Sequence, residues 1–232
     1  MALFSIGLSL MSSNSQKGRY RKDLFSAEWR RILSLMTGRS LNESDIMLQK
    51  EGRPYFPNGK EDFNVSHSGA LTAVSFVSGE KLRTGCDVEL VKPRPGTIRI
   101  AEEFFTAQEK DYVISASQKQ NSQAAFFEVW TLKECYLKLK GLTVFDMKKA
   151  PSFICGKDGD FAFNAAIDAP LSFYLYELKG ASGEWFILAA AVEGNARFHP
   201  EIRWFSQFDL HARSIAEINA ATSPAETVSP KS

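Results

Sequence analysis

Asp87 and Glu89 stand two residues apart in the run Gly85-Cys86-Asp87-Val88-Glu89-Leu90. Consecutive side chains of a β-strand point to opposite faces. A strand here puts both carboxylates on one face and Cys86, Val88 and Leu90 on the other. Gly85 before the run and Lys92-Pro93-Arg94-Pro95-Gly96 after it bound a short, largely buried strand. Neighbouring carboxylates repel, and burying them is costly unless a cation lies between them. A hard divalent ion meets that need, because it takes oxygen ligands and leaves positions for water and substrate phosphate. A strand end carrying two solvated acids has the same pattern, and spacing leaves both readings open.

Glu134 is the natural third carboxylate. It lies in residues 124–139, the strongest helical pattern of the chain, which Gly141 ends. Trp130, Glu134 and Lys138 are four apart and share one face. Lys133 and Lys138 around Glu134 also fit an ordinary solvated helix face. If Glu134 meets Asp87 and Glu89 in space, the three make a magnesium site with room for a pyrophosphate. Ser66-His67-Ser68 invites a serine-hydrolase reading that fails on geometry: adjacent strand residues face opposite ways, and no Gly-x-Ser-x-Gly elbow exists. A polar corner of Ser, His and backbone N–H groups is better suited to an anion, or is simply structural. Arg53, stiffened by Pro54, and the basic cluster Lys17, Arg19, Arg21 and Lys22 could bind phosphates or be surface charge.

The remaining chain must position these groups. It has 232 residues, is 44% hydrophobic and contains 18 phenylalanines, which suits a packed globular protein of one large domain or two halves. Lys and Arg number 28 against 27 acids, so no global field points to nucleic acid or membrane. Cys86, Cys135 and Cys155 are scattered without a Cys-x-x-Cys, which fits a reducing cytoplasm. The first ten residues alternate as a strand and lack a basic signal-peptide start. No stretch is long enough to span a bilayer. Helices are expected at 26–36 and 98–113, the latter with Phe104 and Phe105 inside and Gln108, Glu109 and Lys110 outside. Strands are expected around 63–77 and 84–91 and at 171–178, 185–192 and 198–208. The Ala-, Ser-, Thr- and Pro-rich chain from 214 to 232 reads as a disordered tail.

Taken together, these residues resemble the Sfp-type 4′-phosphopantetheinyl transferases. Asn64-Val65-Ser66-His67-Ser68-Gly69 is similar to the family's Ser-His-Ser corner, and Gly85-Cys86-Asp87-Val88-Glu89 to its Gly-x-Asp-x-Glu strand. The run from Trp130 to Lys138 resembles its Trp-x-x-Lys-Glu-x-x-x-Lys helix. Gly52-Arg53-Pro54 resembles its Gly-Lys-Pro turn, and Phe104 to Glu109 its Phe-x-x-x-x-Glu helix start. Order and separations agree between about residues 52 and 145.

The resemblance implies an α/β (α+β) fold of two similar lobes about a pseudo-twofold, divided here at 1–105 and 106–213; two lobes that supply both sides of the site lead us to expect a monomer. It implies transfer of phosphopantetheine from coenzyme A to a serine of an apo carrier protein (acyl, polyketide or peptidyl), with release of 3′,5′-ADP. Asp87, Glu89 and Glu134 would hold Mg²⁺. Glu134 or a metal-bound water would take the serine proton, and Lys138 would stabilise or protonate the leaving phosphate. His67, Arg53 and Lys22, with Ser66 and Lys133, would bind coenzyme A, and apolar residues within 118–127 would meet the carrier. Two departures stand out. Arg53 replaces the usual lysine of its turn, and Arg21 or Lys22 must stand in for an arginine the family often has at its first long helix. The competing readings are a non-catalytic coenzyme A- or carrier-binding protein of this fold and another Mg²⁺-dependent phosphohydrolase.

Overall fold

The computed structural model describes residues 2–10, 20–57, 59–117, 122–155, 161–164, 169–181, 183–194, 198–206 and 210–219. In chain order the strands are β1 (Leu3–Leu10), β2 (Met47–Leu48), β3 (Pro54–Tyr55), β4 (Glu61–Ser68), β5 (Leu71–Ser78), β6 (Arg83–Leu90), β7 (Ser152–Cys155), β8 (Phe161–Asn164), β9 (Leu171–Lys179), β10 (Trp185–Glu193), β11 (Glu201–Trp204) and β12 (His211–Asn219). The helices are α1 (Tyr20–Thr37), α2 (Thr97–Phe104), α3 (Ala107–Ser117) and α4 (Ser122–Lys140).

Two four-stranded sheets form, in the orders β11-β1-β5-β4 and β12-β9-β10-β6. Each takes strands from both sides of residue 105, because β11 runs parallel to β1 and β6 pairs antiparallel with β10. The alternation of β1 sends Phe4, Ile6 and Leu8 toward Tyr174, Leu178 and Leu188 of the second sheet, in the core between the sheets. Its other face is also buried, since α1 packs there through Trp29, Ile32, Leu33 and Met36. On the far side α4 covers the second sheet. The layers therefore run α1, sheet, sheet, α4, a mixed α/β architecture. Among the described residues no helix is long and apolar enough to cross a membrane.

Three sequence expectations are corrected. The helix expected over 98–113 is two helices, broken where Phe105 turns extended (φ −95°, ψ 149°). Thr106 and Glu109 form a reciprocal cap there, the Glu109 carboxylate accepting the Thr106 N–H at 2.7 Å. Glu109 is consequently fully buried rather than outside. Residues 214–219, expected in a disordered tail, complete β12, which pairs with β9.

β4 and β6 lie side by side without sharing a backbone ladder. The N–H groups of Thr84, Cys86, Val88 and Leu90 instead donate to the side chains of Asp62, Asn64, Ser66 and Ser68, at 2.8–3.2 Å. Every second residue of one strand thus serves every second residue of the other. This seam of short polar side chains joins the two sheets and carries the carboxylates.

Candidate active site

On β6, Gly85, Asp87 and Glu89 share the face toward α4, while Cys86 and Val88 enter the core between the sheets. Gly85 lets α4 come close: a Cβ there would lie 2.6 Å from the Cys135 carbonyl and 2.9 Å from the Leu139 nitrogen. The helix stops at Gly141 (φ 68°), where the Leu142 N–H donates to the Leu137 carbonyl at 2.8 Å and the Gly141 N–H to Lys138. The four-residue spacing then delivers Trp130, Glu134 and Lys138 to one cleft with Asp87 and Glu89. The cleft is open, ≈ 340 Å³, and Phe25, Val65, Ser66, His67, Val88 and Arg94 complete its lining.

The serines hold the acids. Ser66 donates its hydroxyl to Asp87 at 2.9 Å, and Ser68 donates to Glu89 at 3.0 Å. Lys138 Nζ reaches Asp87 Oδ1 at 2.6 Å and Ser66 Oγ at 2.8 Å. Burial by itself would lower the Lys138 pKa, but the charge and hydrogen bond of Asp87 outweigh it and raise it. Burial, then the Asp87 charge, lift Glu134 to about 7. The same two causes raise Glu89. Burial holds the Cys86 and Cys135 thiols up, and each sits in a separate core.

Among the described residues no three His, Cys, Asp or Glu side chains are gathered closely enough to hold a metal ion. The donor set nevertheless fits a hard divalent cation. All three groups are carboxylates on one cleft, two of them reluctant to ionise beside Asp87, and the buried Asp87 Oδ2 has no hydrogen-bond partner. Lys138 supplies positive charge to Asp87 in this arrangement.

Other residues singled out in the sequence fall elsewhere. Lys133 does not face the cleft. It is 1% exposed, donates to the Pro151 carbonyl at 3.2 Å and pairs with Glu109 at 3.1 Å, because one residue along a helix turns the side chain by about 100° away from Glu134. Arg53 is buried too. Its Nη2 donates to Asp62 at 2.7 Å and to the carbonyls of Thr84 and Phe63, so it braces the seam. It lines a second recess of ≈ 220 Å³ that shares Val65 and Lys138 with the cleft. Ser66 is spent on Asp87, Val88 and Lys138. His67 is exposed on the cleft wall and stacks on Phe25 with ring centroids 4.0 Å apart. Lys22 belongs to α1, but its side chain lies outside the described residues. Within the expected carrier contact, 118–121 lie outside the described residues, and Ala125, Phe126 and Phe127 are core.

Sequence reasoning missed Phe25 and Arg94 on the cleft wall and Ser68 behind Glu89. Arg94, read there as part of a chain breaker, stands with its guanidinium carbon 5.8 Å from the Trp130 ring centroid. Ser68 was overlooked as the partner of Glu89, although its two-residue offset from Ser66 mirrors that of Glu89 from Asp87.

The family model described as the 4′-phosphopantetheinyl transferase superfamily matches residues 83–188. Curated relatives match part of the chain. The 4′-phosphopantetheinyl transferase gsp of Aneurinibacillus migulanus is 38% identical over 102 residues, 43% of this chain and 40% of its own length. The transferase ffp of Bacillus subtilis is 34% identical over 104 residues, 44% of each chain. The transferase AcpT of Salmonella typhi is 30% identical over 98 residues, 42% of this chain and 50% of its own. The chain spans about half the length of the curated relatives it matches. The matched span contains β6, α4 and the four cleft groups Asp87, Glu89, Glu134 and Lys138. Over residues 83–188 the chain is thus similar to the 4′-phosphopantetheinyl transferase superfamily.

Proposed function

We propose that the protein transfers the 4′-phosphopantetheinyl group of coenzyme A to a serine of an apo carrier protein. The serine oxygen attacks the phosphorus bearing pantetheine, a new phosphoester P–O bond forms, and the P–O bond to the departing 3′,5′-ADP breaks. The observation that carries this reading is the convergence of Asp87 and Glu89 from β6 with Glu134 and Lys138 from α4 in one open cleft.

Asp87, Glu89 and Glu134 would hold Mg²⁺, which when bound offsets charge on the pyrophosphate. Ser66 and Ser68 fix the two strand carboxylates, which is the preorganisation such a reaction needs. Glu134, which lines the cleft beside Asp87 and Lys138, would take the serine proton. Lys138 stabilises the leaving phosphate on moving off Asp87. His67 on the open wall, with Lys22 of α1, meets the nucleotide phosphates. The two-lobed, pseudo-twofold description of the family accords with the layering of helix, sheet, sheet and helix. A coenzyme A donor is consistent with a cytoplasmic protein.

The test is intact-mass spectrometry of apo acyl, polyketide and peptidyl carriers incubated with the protein, coenzyme A and Mg²⁺. The expected result is the gain of one phosphopantetheinyl group on at least one carrier, abolished by EDTA and by Asp87→Ala or Glu134→Ala. No gain on any carrier overturns the reading. Nucleotide release without a carrier would make the protein a phosphohydrolase instead.

A further inference from the structure

Lys133 and Glu109 form a fully buried ion pair that the proposed chemistry does not use. Glu109 serves three elements at once. One carboxylate oxygen accepts the Thr106 N–H at the start of α3, and the other accepts the Phe153 N–H of β7 at 2.8 Å and meets Lys133 of α4. Lys133 adds its own bond to the Pro151 carbonyl just before β7. A buried pair of this kind is weak evidence for stability, because apolar side chains of similar volume often serve as well. Directional bonds do something apolar packing does not: they fix one rotation of the helix about its axis.

That rotation sets the cleft. Lys133 and Glu134 are adjacent, so any turn of α4 that shifts the Lys133 ammonium from its socket swings Glu134 by the same angle. A rotation of about 10° at a side-chain radius of about 6 Å moves a carboxylate by about 1 Å. A misplacement of that size costs about 100-fold in rate. We propose that the Lys133–Glu109 pair is a positioning device, locking the rotation of α4 so that Glu134 and Lys138 meet Asp87 and Glu89, and is not a ligand of the donor. This inference rests on the transferase reading above.

The experiment compares wild type with the double variant Lys133→Met/Glu109→Gln, which removes both charges and keeps one acceptor oxygen, enough for either the Thr106 or the Phe153 N–H. If that variant fails to fold, Lys133→Gln/Glu109→Gln, with an amide donor for Pro151, replaces it. Three quantities are read on folded protein: coenzyme A KM, kcat, and Mn²⁺ affinity by calorimetry. Positioning predicts an unchanged KM, kcat lower by about 100-fold, and Mn²⁺ affinity weakened by at least about tenfold. A raised KM at unchanged kcat makes Lys133 a donor ligand and overturns the proposal. Unchanged kcat and Mn²⁺ affinity with only a lower Tm makes the pair purely structural and also overturns it. If wild type transfers to no carrier, the transferase reading fails by itself, and the Mn²⁺ comparison still decides whether the pair positions the carboxylates.

Discussion

Gly85→Ala should separate α4 from β6 and disable the cleft without touching a charged group. The added Cβ would sit 2.6 Å from the Cys135 carbonyl oxygen, 2.8 Å from Leu139 Cβ and 2.9 Å from the Leu139 nitrogen. Carbon contacts are comfortable near about 3.5–4.0 Å. Two of the three neighbours are helix backbone, so no rotamer change relieves them and α4 must retreat by about 0.5–1 Å. A gap of about that size forfeits a quarter to a half of each dispersion contact it opens. Leu132, Cys135 and Leu139 are fully buried in this core and stand to lose such contacts. Overpacking a core costs about 1–3 kcal/mol and occasionally more; two backbone clashes put this case near about 3 kcal/mol. For a chain of this size that lowers Tm by about 6–12 °C. Because Glu134 and Lys138 ride on the same helix, transfer should fall by about 100-fold at temperatures where the variant is folded. Thermal melting by circular dichroism and the carrier mass assay read the two effects. A Tm within about 2 °C of wild type with full activity would refute the close-contact argument. An unchanged Tm with lost activity would place the glycine's importance at the substrate instead.

Arg53→Ala should destabilise by about 3–5 kcal/mol, since it leaves Asp62 without its buried partner and two carbonyls without a donor; a rise in coenzyme A KM with no loss of Tm would return Arg53 to phosphate binding. His67→Ala should raise coenzyme A KM by about 10-fold to 150-fold, the worth of a hydrogen bond to a charged group, and leave kcat within about twofold; steady-state kinetics with an unchanged KM would remove His67 from the nucleotide site. Glu128→Gln tests the pH dependence of stability. Burial raises the Glu128 pKa even though Tyr112 donates to it, so its contribution is fully present below the ordinary carboxylate range and is lost as pH rises through the folded value. The glutamine variant should therefore melt with wild type near pH 4 and above it at pH 8; a Tm difference that does not change with pH would refute the burial argument.

Much of the site was legible because its pieces are local and periodic. The strand period placed Asp87 and Glu89 on one face, and the helix period placed Trp130, Glu134 and Lys138 on another. The Thr106-x-x-Glu109 cap was also written in the chain and was overlooked, which is why one helix was expected where two form. Lys133 and Arg53 misled for a different reason. Charge identity says that a side chain can bind a phosphate, but their partners, Glu109, Pro151, Asp62 and Thr84, are brought in by elements distant in the chain. The β12 segment was mistaken for tail because its Ala- and Ser-containing pattern is weakly apolar, and its pairing is decided by the exposed edge of β9.

By itself, then, the sequence determined which residues share a face, where α4 ends, and the chemical character of the candidate site, because these follow from backbone periodicity and residue type. Only the tertiary structure decided which faces meet. The seam that seats Ser66 on Asp87 and Ser68 on Glu89 joins residues 21 apart, and the Lys138–Asp87 contact joins residues 51 apart. Such pairings depend on loop closure and on the close approach that Gly85 allows, neither of which is encoded in local periodicity.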